Sequence, residues 1–270
     1  MTALMNMPEL GVGTFRLEDQ ACNDSVTTAL DIGFRHIDTA QIYGNEAAVG
    51  KAIQDSDVSR NSLFVTTKVW NNKLNVREFI PSVKESLAKL QMNSVDLLLI
   101  HWPSPANGEP MEEYLGELAK AKKQGLTRKI GVSNFTIHHL EKAIAILGEG
   151  EIATNQVEVH PYLINEKLRS YCNDKGIHVT AYMPFAVGKV LQDDTIQAIA
   201  QAHNVSAAEV VIAWELAHGM ATIPSSTKRE HLETNYKGSE LVLSDEEVSR
   251  IDALNKGDRQ ATPDFAPDWD

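Results

Sequence analysis

Residues 95–103 read VDLLLIHWP. Apart from Asp96, the first six positions are apolar, and they do not alternate with polar ones. A strand with one wet face alternates, whereas an unbroken apolar run is covered on both faces, as in parallel sheets packed by helices. Similar β-branched or apolar runs recur on either side. They predict strands at 10–15, 34–37, 63–67, 128–132, 152–156, 177–181 and 220–223, which with 95–100 makes eight. Segments of helical period lie between them, at 19–32, 45–55, 76–91, 111–124, 136–147, 165–175, 206–217 and 244–255. Ser206 with Glu209, and Ser244 with Glu247, have capping-box spacing. Gly125 and Gly176 stand where left-handed helix ends are common.

Eight strand–helix units in 270 residues fit an α/β fold of the (β/α)8 TIM-barrel type. An open doubly wound sheet is the rival, but GVGTFR (11–16) lacks the third glycine of a dinucleotide-binding turn. No composition break appears, so one domain over 1–270 is expected. The formal net charge of −12 speaks against general nucleic-acid affinity. No run approaches 18 apolar residues, so no membrane span is expected. The two cysteines, Cys22 and Cys172, do not make a disulfide framework, and no signal peptide opens the chain; a cytoplasmic protein is expected.

In a parallel barrel, chemistry collects where strands end. Asp38, Lys68, His101 and Asn134 recur every 30 to 33 residues, about one unit each, and should converge on one rim. Tyr43 follows Asp38 in its loop. Each alone has a plain alternative: a helix cap, a packed aromatic, a rim histidine. Together, a carboxylate, an ammonium, a phenol and an imidazole make a proton-handling site. A free phenol has a pKa of about 10 and is a poor acid near neutrality. An adjacent Lys68 would lower it, and Asp38 would balance the lysine. His101 could hold a substrate oxygen. None of these groups carries a hydride, so a hydride cofactor is implied. A Schiff-base aldolase using Lys68 remains an alternative, as does a non-catalytic nucleotide-binding protein.

Seven segments in order resemble the aldo-keto reductases: GVGTF (11–15), DTAQIYGNE (38–46), TTKVW (66–70), LLLIHWP (97–103), KIGVSNF (129–135), NQVEVHPY (155–162) and IPSSTKREHLETN (223–235). The resemblance implies metal-free, NADPH-dependent reduction of small carbonyl compounds, 2,5-diketo-D-gluconate and methylglyoxal among them, by a monomer. It makes Asp38, Tyr43, Lys68 and His101 the catalytic tetrad, with Tyr43 the proton donor. It assigns cofactor contacts to Gly13, Thr14, Ser133, Asn134, Gln156, Tyr182 and Gly188. It extends them to Ser225, Ser226, Thr227, Lys228, Arg229, His231 and Asn235, and it puts Phe15, Trp70 and Trp102 in the substrate pocket beside His101. Ser225 and His231 stand where the family usually has a lysine and an arginine for the 2′-phosphate, so NADH is kept as a weaker or dual cofactor. Lys228 and Arg229 could replace those cations. The short tail KGDRQATPDFAPDWD (256–270) is expected to leave the pocket open, with Trp269 a packing anchor and no part of the pocket.

Overall fold

The computed structural model describes residues 7–105 and 108–270. Eight parallel strands are hydrogen-bonded in sequence order. They are β1 (Gly11–Gly13), β2 (His36–Asp38), β3 (Phe64–Val69), β4 (Val95–Ile100), β5 (Thr127–Ser133), β6 (Ile152–Glu158), β7 (His178–Tyr182) and β8 (Ala221–Thr222). The ring closes where Thr222 bridges Leu10 and its N–H meets the Glu9 carbonyl at 2.7 Å.

Ten α-helices surround the described strands: α1 (Asp19–Ile32), α2 (Glu46–Asp55), α3 (Phe79–Leu90), α4 (Met111–Lys123), α5 (Ile137–Leu147), α6 (Glu166–Asp174), α7 (Asp194–His203), α8 (Ala207–Ala217), α9 (Arg229–Gly238) and α10 (Asp245–Asp252). Both expected capping boxes form, Ser206 with Glu209 and Ser244 with Glu247. Gly125 and Gly176 are left-handed, with φ of 71° and 67°. The pattern reading lacks α7 and α9. α7 shares the connection between β7 and β8 with α8, and α9 shares the segment after β8 with α10, so each is a second helix in its unit. Asp19 does not cap α1; it lies inside the first turn, after Glu18.

Alternation along the strands divides two cores. Val65 and Val69 of β3, with Leu98 and Ile100 of β4, face the helices in the main core. Phe64, Leu97 and Leu99 join Met7, Ala153 and Ala221 in a smaller cluster that fills the barrel. Residues two apart share a face. The inward series Phe64–Thr66–Lys68 and Leu97–Leu99–His101 therefore rise from an apolar plug to a polar rim. His36, on the inward series below Asp38, is buried; its ring meets Phe64 edge-on, and burial lowers its pKa to about 4. It is a structural group.

Candidate active site

Asp38 is the last residue of β2, Lys68 lies within β3, and His101 follows β4. Lys68 is fully buried and donates to Asp38, to the Thr39 carbonyl at 3.0 Å and to Tyr43 Oη at 3.3 Å. Gln156 Nε2 donates to the other Asp38 oxygen at 2.7 Å. Two further donors fix the loop backbone, since the Thr14 N–H and hydroxyl both reach the Asp38 carbonyl at 3.0 Å. Asn45, the residue before α2, ties this loop to β1 by donating to the Thr14 and Leu17 carbonyls at 2.8 Å. It holds the loop as well as opening the helix.

Burial opposes the Lys68 charge, but Asp38 and Tyr43 outweigh it and raise its pKa. The lysine is a charged ammonium, unlike the neutral amine an imine requires. For Tyr43 the Lys68 effect has the expected sign, but the net shift is upward. Burial raises its pKa, and the Lys68 ammonium, which lowers it, offsets only part of that. Tyr43 is partly exposed and lies on the cavity lining. The phenol therefore stays protonated at neutral pH, with an ammonium placed to stabilise the phenolate formed when its proton leaves.

His101 meets Tyr43 and Trp70 edge-on, with ring centroids 5.6 and 5.0 Å away. Burial, then Lys68, holds its pKa well below 6.5, so the imidazole is neutral. Its Nδ1 is buried without a partner. An orphaned donor is rarer than an orphaned acceptor, which favours a proton on Nε2. The neutral ring can then donate a hydrogen bond to an oxygen.

These groups open into a cavity of about 770 Å³. Phe15, Trp70 and Trp102 line one end. Ser133, Asn134, Gln156 and Tyr182 line the middle. Tyr182 Oη donates to Asn134 Oδ1 at 2.8 Å, and Asn134 Nδ2 donates to the His101 carbonyl at 3.0 Å. Asn134 adopts φ of 62°, a conformation asparagine tolerates better than most residues. Ser225, Ser226, Thr227, Lys228 and His231 form the far end, beside the first turn of α9.

The lining includes Gly13 and Gly188 but not every residue expected there. Thr14, Asn235 and Lys68 are buried and outside the lining, Lys68 being bonded to Tyr43. Arg229 turns away, pairing with Asp31 at 3.2 Å and Glu233 at 3.4 Å. It is exposed and lies outside the cavity lining. The tail does not leave the pocket open: Gln260, Ala261, Pro263 and Phe265 line it. Phe265 packs edge-on against Trp70 and Trp102, at 5.8 and 5.6 Å. Trp269 stays outside the lining and packs on Trp102 at 6.1 Å. Sequence offered a weak signal for Phe265, an aromatic in a proline-containing tail, but no local pattern says where a tail returns.

The cavity fits a long ligand with a flat polar ring at one end and an anionic group at the other. Tyr182 supplies a ring face, Ser133 and Asn134 supply amide and hydroxyl groups, and Lys228 with the α9 start supplies positive potential.

A parallel barrel that gathers a carboxylate, an ammonium, a phenol and an imidazole at its strand-end mouth, beside a long cavity, has the groups a carbonyl oxidoreductase would need. The Aldo/keto reductase family model matches residues 9–256, and the chain belongs to the aldo-keto reductase family. It is 52% identical over 267 residues to methylglyoxal reductase DkgB of Escherichia coli O157:H7, covering 98% of this chain and 100% of that protein. It is 41% identical to glyoxal reductase of Bacillus subtilis (strain 168), covering 94% and 91%. A crystal structure of MGS-M4, an aldo-keto reductase enzyme from a Medee basin deep-sea metagenome library, superposes with a TM-score of 0.92 at 33% identity, covering 98% of this chain and 97% of that one. The chain is an enzyme that reduces carbonyl compounds.

Proposed function

We propose that this enzyme reduces small dicarbonyls and aldehydes, with methylglyoxal and 2,5-diketo-D-gluconate as substrates, NADPH as cofactor and Tyr43 as proton donor. The observation that carries the reading is the Tyr43 hydroxyl, 3.3 Å from a buried ammonium and open to the same cavity as His101. The bound nicotinamide supplies the hydride. Tyr182 offers its ring as a floor for the nicotinamide, with Ser133, Asn134 and Gln156 at its carboxamide. Ser226, Thr227 and Lys228 hold the adenosine phosphates. His101 donates from Nε2 to the substrate oxygen and orients the carbonyl. Tyr43 gives its proton to that oxygen as negative charge develops. Lys68 stabilises the phenolate left behind, and Asp38 and Gln156 keep Lys68 in place. The protonated phenol and the neutral imidazole both suit reduction at neutral pH.

NADPH is favoured by Lys228 on the cavity wall. Ser225 and His231 favour a second reading, in which NADH is also used. The test is kcat/KM for each nucleotide, followed at 340 nm with methylglyoxal and 2,5-diketo-D-gluconate. NADPH should win; an equal or better NADH value overturns the preference. A wild type that binds NADPH but reduces neither substrate nor simple aldehydes overturns the substrate assignment.

A further inference from the structure

Glu158 ends β6, two positions after Gln156 on the same face, and is fully buried. One carboxylate oxygen accepts from the Gln260 N–H at 2.7 Å and is 2.8 Å from His160 Nε2. The other accepts from the Ala261 N–H at 2.7 Å. The Glu158 carbonyl accepts from Asn165 Nδ2 at 2.6 Å, and Asn165 Oδ1 accepts from Arg259 at 3.1 Å. A carboxylate this deep is costly unless its oxygens are hydrogen-bonded. Here the chain's tail supplies two consecutive backbone donors.

Beyond this anchor the tail closes on itself. The Arg259 guanidinium stacks on the Trp269 ring at 3.7 Å, so residues 259–269 form a loop with joined ends. Asp270 accepts from the Ile137 N–H at the start of α5 at 2.9 Å. Phe265 hangs between these anchors and faces Trp70 and Trp102. The wall that Phe265 presents to the cavity is therefore set by where the loop begins.

We propose that Glu158 is the positioning residue that fixes this tail loop over the cavity and thereby sets the size of carbonyl the enzyme accepts. Glu158 is not part of the cavity lining and acts through the tail. The inference rests on the Trp70–Trp102 end being the substrate end, as in the functional reading above. A glutamine at 158 keeps one acceptor oxygen and turns an amide donor toward the Gln260 or Ala261 N–H, donor against donor. One buried N–H then loses its acceptor and Gln260–Ala261 are loosened, while the Lys256 and Asp258 N–H groups still reach the Tyr162 carbonyl at 3.2 and 3.0 Å.

The experiment compares wild type, Glu158→Gln, Phe265→Ala and the double variant. In Glu158→Gln the amides of Gln260 and Ala261 should exchange hydrogen faster than in wild type. The kcat/KM ratio of 2-naphthaldehyde to methylglyoxal should rise about tenfold in either single variant, the scale of a lost apolar contact. That rise should come from KM, with kcat little changed. The double variant should show no further rise, and NADPH affinity measured by fluorescence should match wild type. Protected tail amides in a folded Glu158→Gln, or loosened amides with an unchanged ratio, overturn the proposal. Should that variant fail to fold, Trp269→Ala, which removes the loop's closing stack, must shift the ratio the same way; an unchanged ratio there also overturns it. A wild type that reduces neither aldehyde overturns the functional reading and this one together, whereas an active wild type with an insensitive ratio overturns this one alone.

Discussion

Replacing Lys68 by Met removes three contacts at once: those to Asp38, to the Thr39 carbonyl and to Tyr43 Oη. The methionine occupies much of the lysine stem's volume, so packing changes little. What changes is charge. Asp38 stays 1% exposed with Gln156 Nε2 as its remaining side-chain donor. Breaking a buried ion pair from one side costs about 3–5 kcal/mol, because an uncompensated charge remains. That is a large share of the roughly 5–15 kcal/mol that stabilises an ordinary protein. The double variant Asp38→Asn/Lys68→Met leaves no charge, and the new amide oxygen can still accept from Gln156. It should recover most of the loss, ending within about 1–2 kcal/mol of wild type, since removing both partners of a buried pair is often close to neutral. Turnover should not recover, because neither variant has an ammonium to stabilise the Tyr43 phenolate; about 10²–10⁴-fold of general-acid catalysis is at stake. Equilibrium urea unfolding and methylglyoxal turnover separate the two effects. If the single variant proves as stable as the double, the pair is not holding an otherwise costly charge and the argument fails.

Tyr43→Phe keeps the ring and its edge-on contact with His101 but loses the proton; NADPH binding should be retained while kcat drops about 10²–10⁴-fold, and a drop of only a few fold would remove Tyr43 as the acid. Because burial raises the Tyr43 pKa, the donor stays protonated as pH rises, so kcat for reduction should be level through neutrality and fall only above the ordinary phenol value of about 10. His101, held neutral well below 6.5, should add no break near that pH; a pH–rate profile with a step between 6 and 8 would contradict both assignments. Glu215 is fully buried in α8, and burial raises its pKa well above 4.5, with neighbouring Thr222 and Arg169 offsetting only part. A raised carboxyl pKa favours folding below the unfolded value of about 4.3 and loses that advantage as pH climbs through the folded value. Glu215→Gln should therefore gain stability relative to wild type at pH 8 and lose that gain toward pH 4, as melting temperatures across that range would register.

The run at 95–100, apolar but for Asp96, and its seven counterparts carry the fold in their own chemistry. Strands apolar on both faces must be covered on both, and eight such units close into a ring. Three of the four tetrad groups are legible for the same reason, since Asp38, Lys68 and His101 stand at or near the ends of successive strands and reach a common rim, with Tyr43 in the loop after Asp38. Helices α7 and α9 escape the pattern because the units after β7 and β8 each carry two helices, where a one-helix-per-strand beat has room for one. The sign of the Tyr43 shift depends on burial set against one ammonium, a balance of distances between β2, β3 and the barrel plug. Whether Arg229 faces the cavity or Asp31 turns on the placement of α9 against α1. The return of the tail is the clearest case. Nothing within residues 256–270 specifies a cavity wall; a carboxylate about a hundred residues earlier, on β6, takes their backbone N–H groups and puts Phe265 between Trp70 and Trp102. The sequence by itself determined the barrel, its reacting groups and where they gather, because strand periodicity is local. Tertiary structure alone decided protonation, the orientation of exposed cations and the shape of the pocket, because burial and long-range hydrogen bonds join residues that are remote in the chain.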